Sequence, residues 1–164
     1  AASDVYKRQG LRIGMTIAKT LAQAGNKSLI PVSTLLALAN NSSSDRLKVP
    51  MIDARGNRIY GAVYDKDFNE IIKEDLYTID VFSKLVNELG DEVELIGEVA
   101  SKYEELFTNA RTLPLSFNNC IGKSLIKIGL ENCNKSYNLY ELSPNYLRKS
   151  QAERELSNDK KNGN

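Results

Sequence analysis

The spacing of apolar residues predicts a long helix near the start of the chain, over residues 11–24. The pattern stops at Gly25-Asn26, a pair of residue types that favours a helix C-terminus. On a helical wheel the apolar positions cover an arc of about 200°, which is wider than contact with one sheet requires. We therefore predict that this helix is buried on two sides, against its own domain and against a second body.

The spacing of apolar residues changes further along the chain. Residues 28–32 are predicted to form a short strand, and Ser33 to cap a helix that runs to about Ala39. The turn-forming run at 40–45 is the predicted domain boundary. Alternating patterns then predict three strands, over 49–55, 58–64 and 70–77. Gly56-Asn57 separates the first two strands, and both residue types favour the positive φ of a tight hairpin.

Helices and strands alternate after the third strand. The first predicted element is a helix that starts at Thr78 or Asp80 and ends at Leu89-Gly90. It is followed by a strand over 93–97, a helix over 100–109, a short strand over 113–117 and a helix over 119–132. The order β-β-β-α-β-α-β-α, a meander followed by parallel crossovers, is that of an α/β ribonuclease H-like domain of the actin-like ATPase (ASKHA) superfamily. Residues 1–9 and 154–164 lack either period, and we predict a disordered or non-native leader and a disordered tail.

The composition removes several kinds of site. The chain has no histidine, which excludes Ser-His and Cys-His nucleophile pairs and imidazole metal ligands, and disfavours a metallopeptidase. Cys120 and Cys133 lack CxxC spacing, and we expect free thiols of a reducing compartment. No apolar run reaches about 18 residues and no signal-peptide pattern is present, so we predict a soluble, cytoplasmic protein without a membrane span.

The net charge of +1 conceals a segregation of charge along the chain. Counting Lys and Arg against Asp and Glu, residues 1–64 carry +6, residues 65–105 carry −9 and residues 106–164 carry +4. Two interpretations stay open: solvated faces whose fields cancel, or steering of a charged partner.

Two activities of ribonuclease H-like folds can be tested against the residues. A metal-dependent nuclease would need carboxylates that converge on Asp53 of the first strand, and the nearest candidates are Glu94, Glu98 and Asp80. An ATPase would need phosphate-binding hairpin turns, and the turn at 53–58 offers one glycine. Arg55 and Arg58 in that turn could meet a phosphate or a partner's carboxylate, although a plain hairpin is the simpler interpretation. No constellation argues for catalysis.

Four separated motifs resemble the TsaB (YeaZ) family, the dimerisation subunits of the bacterial complex that makes threonylcarbamoyladenosine in tRNA. They are GLRIG at 10–14 with Ala18-Lys19, PVSTL at 31–35, DARGNRIY at 53–60 and PNYLRKSQAE at 144–153. The sequence departs from the family before Gly10, where Tyr6-Lys7-Arg8-Gln9 replaces a Gly-Ser-Phe-Thr-like turn and the family's opening strands are absent. The resemblance therefore implies four parts: a leader (1–9), the remnant of a truncated N-terminal ASKHA domain (10–44), a complete C-terminal domain (45–153) and a tail (154–164).

The resemblance also implies a function. Members of the family have no catalytic activity of their own and support a catalytic paralogue of TsaD type. That subunit transfers threonylcarbamoyl to adenosine 37 of tRNA, and a small ATPase of TsaE type joins the pair. For this chain we expect no catalytic residues, no metal and no cofactor. We expect this chain to be such a scaffold, with tRNA as an indirect partner and homodimer formation left open. The alternative is a metal-dependent nuclease or ATPase centred on Asp53.

The same resemblance implies that the first helix lies in a subunit interface. The expected contact residues are Arg12, Ile13, Met15, Thr16, Ile17 and Lys19. Packing inside the chain's own core is the alternative for these side chains. Basic residues near the C terminus, namely Arg148, Lys149 and Arg154, are candidate contacts for tRNA phosphates, with a solvated basic tail as the alternative.

Overall fold

In the computed structural model, which describes residues 2–116, 121–135 and 137–147, the chain divides into two units. The first comprises residues 1–31 and 133–164, and the second comprises residues 32–132. The division at 31/32 differs from the boundary predicted at 40–45, because the helix that Ser33 caps packs on the sheet of the second unit. The stretch from Cys133 onward also falls with the first unit, although the motifs placed it with the sheet.

Helix α1, at Ala2–Ala24, dominates the first unit. It begins before the predicted start at residue 11, so the prediction that the leader lacks helical structure was wrong for residues 2–9. No proline interrupts that stretch, and the backbone ladder can continue through it without an amphipathic pattern. After α1 the predicted strand at 28–32 is also wrong, because the backbone there is irregular and pairs with no described strand.

The second unit is built on one five-stranded sheet. Its strands, in chain order, are β1 (Leu47–Asp53), β2 (Arg58–Tyr64), β3 (Glu70–Thr78), β4 (Val93–Ile96) and β5 (Ala110–Thr112). The order across the sheet is β3-β2-β1-β4-β5, and β2 pairs antiparallel with both β1 and β3. β4 pairs parallel with β1, and β5 pairs parallel with β4. The predicted meander and parallel crossovers are therefore confirmed.

Four helices accompany these strands in the described part of the second unit. They are α2 (Thr34–Ala39), α3 (Ile79–Asn87), α4 (Ala100–Tyr103) and α5 (Ile121–Glu131). The Ser33 Oγ accepts hydrogen bonds from the backbone N–H groups of Leu35 (3.1 Å) and Leu36 (3.5 Å), which confirms the predicted cap of α2.

The predictions for residues 100–117 need correction. α4 covers only the start of the predicted helix and passes into a 3₁₀ turn at Glu104–Leu106. Phe107 then adopts an extended conformation and is buried in the core, and Asn109 has a positive φ of 53°, so the helix cannot continue. The last described strand is β5, whose Ala110 and Thr112 pair with Val93 and Leu95 of β4, and residues 113–116 of the predicted strand are not part of it. Residue 117, where that prediction ends, lies outside the described residues.

Alternation along the strands divides the core between the two faces of the sheet. On one face Val49, Met51 and Leu95 pack with Phe82 of α3 and with Phe107. The rings of Phe82 and Phe107 meet edge to face with centroids 6.3 Å apart. The other face is covered by α2, whose buried leucines lie in two further clusters with residues of β1, β2 and β4.

Strand β3 forms one edge of the sheet. Two of its backbone N–H groups donate to carboxylates of the same strand: that of Glu74 to Glu70 (2.8 Å) and that of Leu76 to Asp75 (2.7 Å). At the other edge β5 is three residues long.

Candidate protein interface on the first helix

Helix α1 carries an apolar stripe that faces solvent. Ile13, Ile17 and Leu21 are 60%, 55% and 68% exposed, and their spacing of four residues places them in one row along the helix. Ala22, on the other side of the helix, is buried. Three large apolar side chains in a row are typical of a protein-binding surface rather than of scattered exposure.

The six predicted contact residues do not lie on one surface. Ile13 and Ile17 belong to the apolar stripe, whereas Arg12, Met15 and Lys19 lie on the other side of the helix by the 100° period. Met15 and Lys19 are half-buried there. Leu21 was missed, although the four-residue spacing from Ile17 was a signal that could have found it.

Two polar residues of the predicted set, Arg12 and Thr16, form hydrogen bonds within the chain. The Nε of Arg12 donates a hydrogen bond to the hydroxyl of Tyr146 at 3.2 Å, and the guanidinium carbon lies 5.8 Å from the centre of the ring. The hydroxyl of Thr16 donates to the backbone carbonyl of Arg12 at 2.9 Å. Arg148, Lys149 and Arg154, the candidate tRNA contacts, lie outside the described residues.

The β1–β2 hairpin is a tightly organised turn on the second unit. Arg55, Gly56 and Asn57 have consecutive positive φ values of 63°, 61° and 59°, which confirms the predicted left-handed turn at Gly56-Asn57. A carboxylate oxygen of Asp53 accepts the backbone N–H of Arg55 at 3.0 Å, and the N–H of Ala54 donates to the carbonyl of Arg58 at 2.9 Å.

Asn57 ties this hairpin to the start of α3. Its carbonyl accepts the N–H of Ile79 at 3.0 Å, and its side-chain amide donates to the carboxylate of Asp80 at 3.2 Å. The hairpin is therefore fixed from both ends of the turn and from the neighbouring helix.

Of the carboxylates that a nuclease would need around Asp53, Glu94 lies far from it. Glu94 is opposite Lys48 in the register of β1 and β4, so it lies five residues of strand from Asp53, or roughly 17 Å. The two residues also lie on different faces of the sheet, because side chains two positions apart share a face. Asp53 is on the face of Val49 and Met51, and Glu94 is on the face of Ile96. Among the described residues no group of three or more Cys, Asp or Glu side chains could hold a metal ion.

Glu94 instead belongs to a buried polar cluster at the start of β1 and β4. Its carboxylate accepts hydrogen bonds from the hydroxyls of Ser42 and Ser44, the latter at 3.0 Å. The ammonium of Lys48 donates to the backbone carbonyls of Ser44 (2.7 Å) and Arg46 (3.1 Å). Burial lowers the pKa of Lys48, and the charge of Glu94 acts against that shift. Each polar group has partners, which is typical of a structural role.

One further group with a shifted pKa, Lys102, lies near the hairpin. The ammonium of Lys102 on α4 is 3.0 Å from the hydroxyl of Tyr103, and this hydrogen bond raises the pKa of Lys102, with a smaller contribution from the charge of Asp53.

No described helix is long and apolar enough to cross a membrane.

Comparison with known proteins gives likenesses of three kinds. The family model described as TsaD, tRNA N6-adenosine threonylcarbamoyltransferase, matches residues 8–120. The tRNA threonylcarbamoyladenosine biosynthesis protein TsaB of Bacillus subtilis (strain 168) is 26% identical over 88% of this chain, which spans 66% of that relative's length. A crystal structure from Pseudomonas aeruginosa, described as an uncharacterized protein with similarity to peptidase YeaZ, superposes with a TM-score of 0.62 at 18% identity. That alignment covers 85% of this chain and 68% of the other, and it supports the ASKHA-type α/β fold.

Proposed function

The chain belongs to the tRNA N6-adenosine threonylcarbamoyltransferase (TsaD) family and within it to the TsaB (YeaZ) group, and on that premise we propose that it takes part in making threonylcarbamoyladenosine in tRNA. Its role there is that of a non-catalytic subunit that binds and supports a TsaD-type catalytic partner. Because the chain spans 66% of its TsaB relative, the whole relative's partners and activity come to it as part of this proposal.

The exposed stripe of Ile13, Ile17 and Leu21 carries the proposal. Burial of a large aliphatic side chain contributes about 1.5–3 kcal/mol, so a row of three can anchor a helix against a partner. The lack of histidine and the separation of Asp53 from Glu94 both fit a subunit that leaves chemistry to its partner. A TsaE-type ATPase and tRNA are the further proposed partners, and the cytoplasm the proposed location.

Co-purification with the TsaD-type subunit from the same source tests the stripe. We expect Ile17→Asp to abolish capture, because it places a charge in the centre of the row. Gln23→Asp is the matched control, since it adds the same charge to α1 at an exposed position outside the row. Equal capture of both variants would remove the stripe from the interface, and light scattering of the chain alone reports whether a second copy occupies it instead.

Single-turnover assays with Mg²⁺ and Mn²⁺ test the absence of catalysis. We expect the purified chain to show no nuclease or ATPase activity above background. Activity that disappears in Asp53→Asn would overturn the scaffold role in favour of a nuclease or ATPase.

A further inference from the structure

We propose that the tip of the β1–β2 hairpin is a second contact surface, on which the guanidinium groups of Arg55 and Arg58 bind acidic side chains of a protein partner. The inference rests on the proposed function, since the partner is the same TsaD-type subunit. It adds a polar surface on the second unit to the apolar stripe on α1.

The first argument is the conformation of Arg55. Its φ of 63° is in the left-handed region, which glycine enters freely and which an arginine enters only at a cost in free energy. The side chain is exposed and makes no hydrogen bond, ion pair or ring contact within the described residues, so no such interaction offsets that cost. A residue that strains the backbone without contributing to packing is typical of a binding site.

The second argument is that Arg55 and Arg58 are held together on a rigid support. The Nε of Arg58 donates to the carbonyl of Arg55 at 3.3 Å, which leaves the terminal nitrogens of Arg58 free of described partners. The turn beneath them is fixed by Asp53 and Asn57. Only the two side chains would have to be ordered on binding, which lowers the entropic cost. Guanidinium groups pair with carboxylates in bidentate geometry.

Charge distinguishes a carboxylate partner from a nucleic acid. Residues 32–132 carry 11 Lys and Arg against 16 Asp and Glu, a net charge of −5. Asp53 and Asp80 flank the tip, and they accept hydrogen bonds from the backbone N–H of Arg55 and the side-chain amide of Asn57 rather than from the two guanidinium groups. This net charge opposes an extended polyanion, which brings many phosphates to the surface, more strongly than it opposes the few carboxylates of a protein contact.

Calorimetric titration of the full chain with the TsaD-type subunit tests the proposal. We expect the double variant Arg55→Gly/Arg58→Gln to bind at least about tenfold more weakly than wild type at low salt, and the difference to shrink as ionic strength rises. Lys66→Gln/Lys73→Gln is the matched control, because it removes two exposed cations from the same second unit. Arg55→Gly relieves the positive φ, so its melting temperature should equal or exceed that of wild type while its affinity falls.

The outcomes separate this inference from the proposed function. If wild type fails to bind the TsaD-type subunit, both are overturned. If Ile17→Asp weakens binding while the hairpin variant binds like wild type, the inference alone is overturned. If the hairpin variant binds the subunit normally but the assembled complex loses tRNA in filter binding, the tip recognises phosphates and the assignment to carboxylates is wrong.

Discussion

Arg12 and Tyr146 join two parts of the chain that are 134 positions apart in sequence. The guanidinium donates to the tyrosine hydroxyl, and its carbon lies over the ring at 5.8 Å from the ring centre. One residue comes from the GLRIG motif and the other from the PNYLRKSQAE motif. Two of the motifs that carried the resemblance thus meet in the first unit.

Loss of the Arg12 contact should release the segment around Tyr146. We expect Arg12→Ala to speed hydrogen exchange over residues 137–147, by a factor that corresponds to about 0.5–1 kcal/mol for an exposed cation–π contact. Tyr146→Phe keeps the ring and should have a smaller effect. Gln23→Ala on the same helix is the control. Unchanged exchange in Arg12→Ala would show that other contacts hold this segment.

The cap of α2 is the subject of a second prediction. Ser33→Ala removes the oxygen that accepts from Leu35 and Leu36, and we expect the free energy of unfolding to fall by about 1 kcal/mol in urea denaturation. Thr34→Ala is the matched control, because that residue is exposed and makes no cap hydrogen bond. If both variants lose the same stability, the cap contributes nothing specific.

Two glycines with positive φ should differ sharply on substitution. A Cβ at Gly97 (φ 128°) would lie 2.0 Å from the carbonyl oxygen of Met51, a backbone atom that cannot move aside. At Gly90 (φ 72°) a Cβ would meet nothing within 4 Å. We expect Gly97→Ala to lose more than about 4 kcal/mol or to fail to fold, and Gly90→Ala to lose about 1 kcal/mol. Thermal unfolding followed by circular dichroism measures both, and similar values would refute the close approach.

The pH dependence of stability should reveal the buried phenol of Tyr64. Burial raises its pKa above the ordinary value of 10.0, and the hydrogen bond that its hydroxyl donates to Glu74 raises it further. The folded state therefore retains a proton that the unfolded state loses above pH 10.0, so the contribution of Tyr64 is complete below that pH and falls above it.

Comparison with Tyr64→Phe isolates this contribution. Above pH 10.0 wild type should lose about 1.4 kcal/mol more per pH unit than the variant in denaturant titrations. Lys48 has the opposite effect: because its pKa is lowered in the folded state, stability rises with pH up to the ordinary lysine pKa of 10.5. This effect is the same in both proteins and cancels when their stabilities are subtracted. Parallel pH profiles would contradict the burial of the phenol.

Local chemistry made much of the fold predictable. Alternation and the Gly56-Asn57 turn located β2 at its observed bounds, and a single serine predicted the start of α2. The errors came from contacts distant in sequence: the burial of Phe107 ended a helix early, and pairing with β4 decided which residues became β5. Periodicity found helix α1 but not its true start, because residues 2–9 are helical without an apolar stripe.

The candidate interface was predicted in part for similar reasons. The wide apolar arc of α1 indicated two environments, but the wheel alone could not say which side was covered. The covered side proved to be that of Ala22, and the exposed row gained Leu21. The partner of Arg12 could not be predicted, because no local pattern points to Tyr146.

The edges of the sheet restrict how this protein can assemble. β3 has nine residues, enough to template another strand, but two of its N–H groups are occupied by the carboxylates of Glu70 and Asp75, and β5 is too short to template one. Both edges therefore disfavour extension of the sheet by a neighbouring chain. Association through helix faces and exposed side chains remains, so a partner can be exchanged or released without breaking a shared hydrogen-bonded ladder.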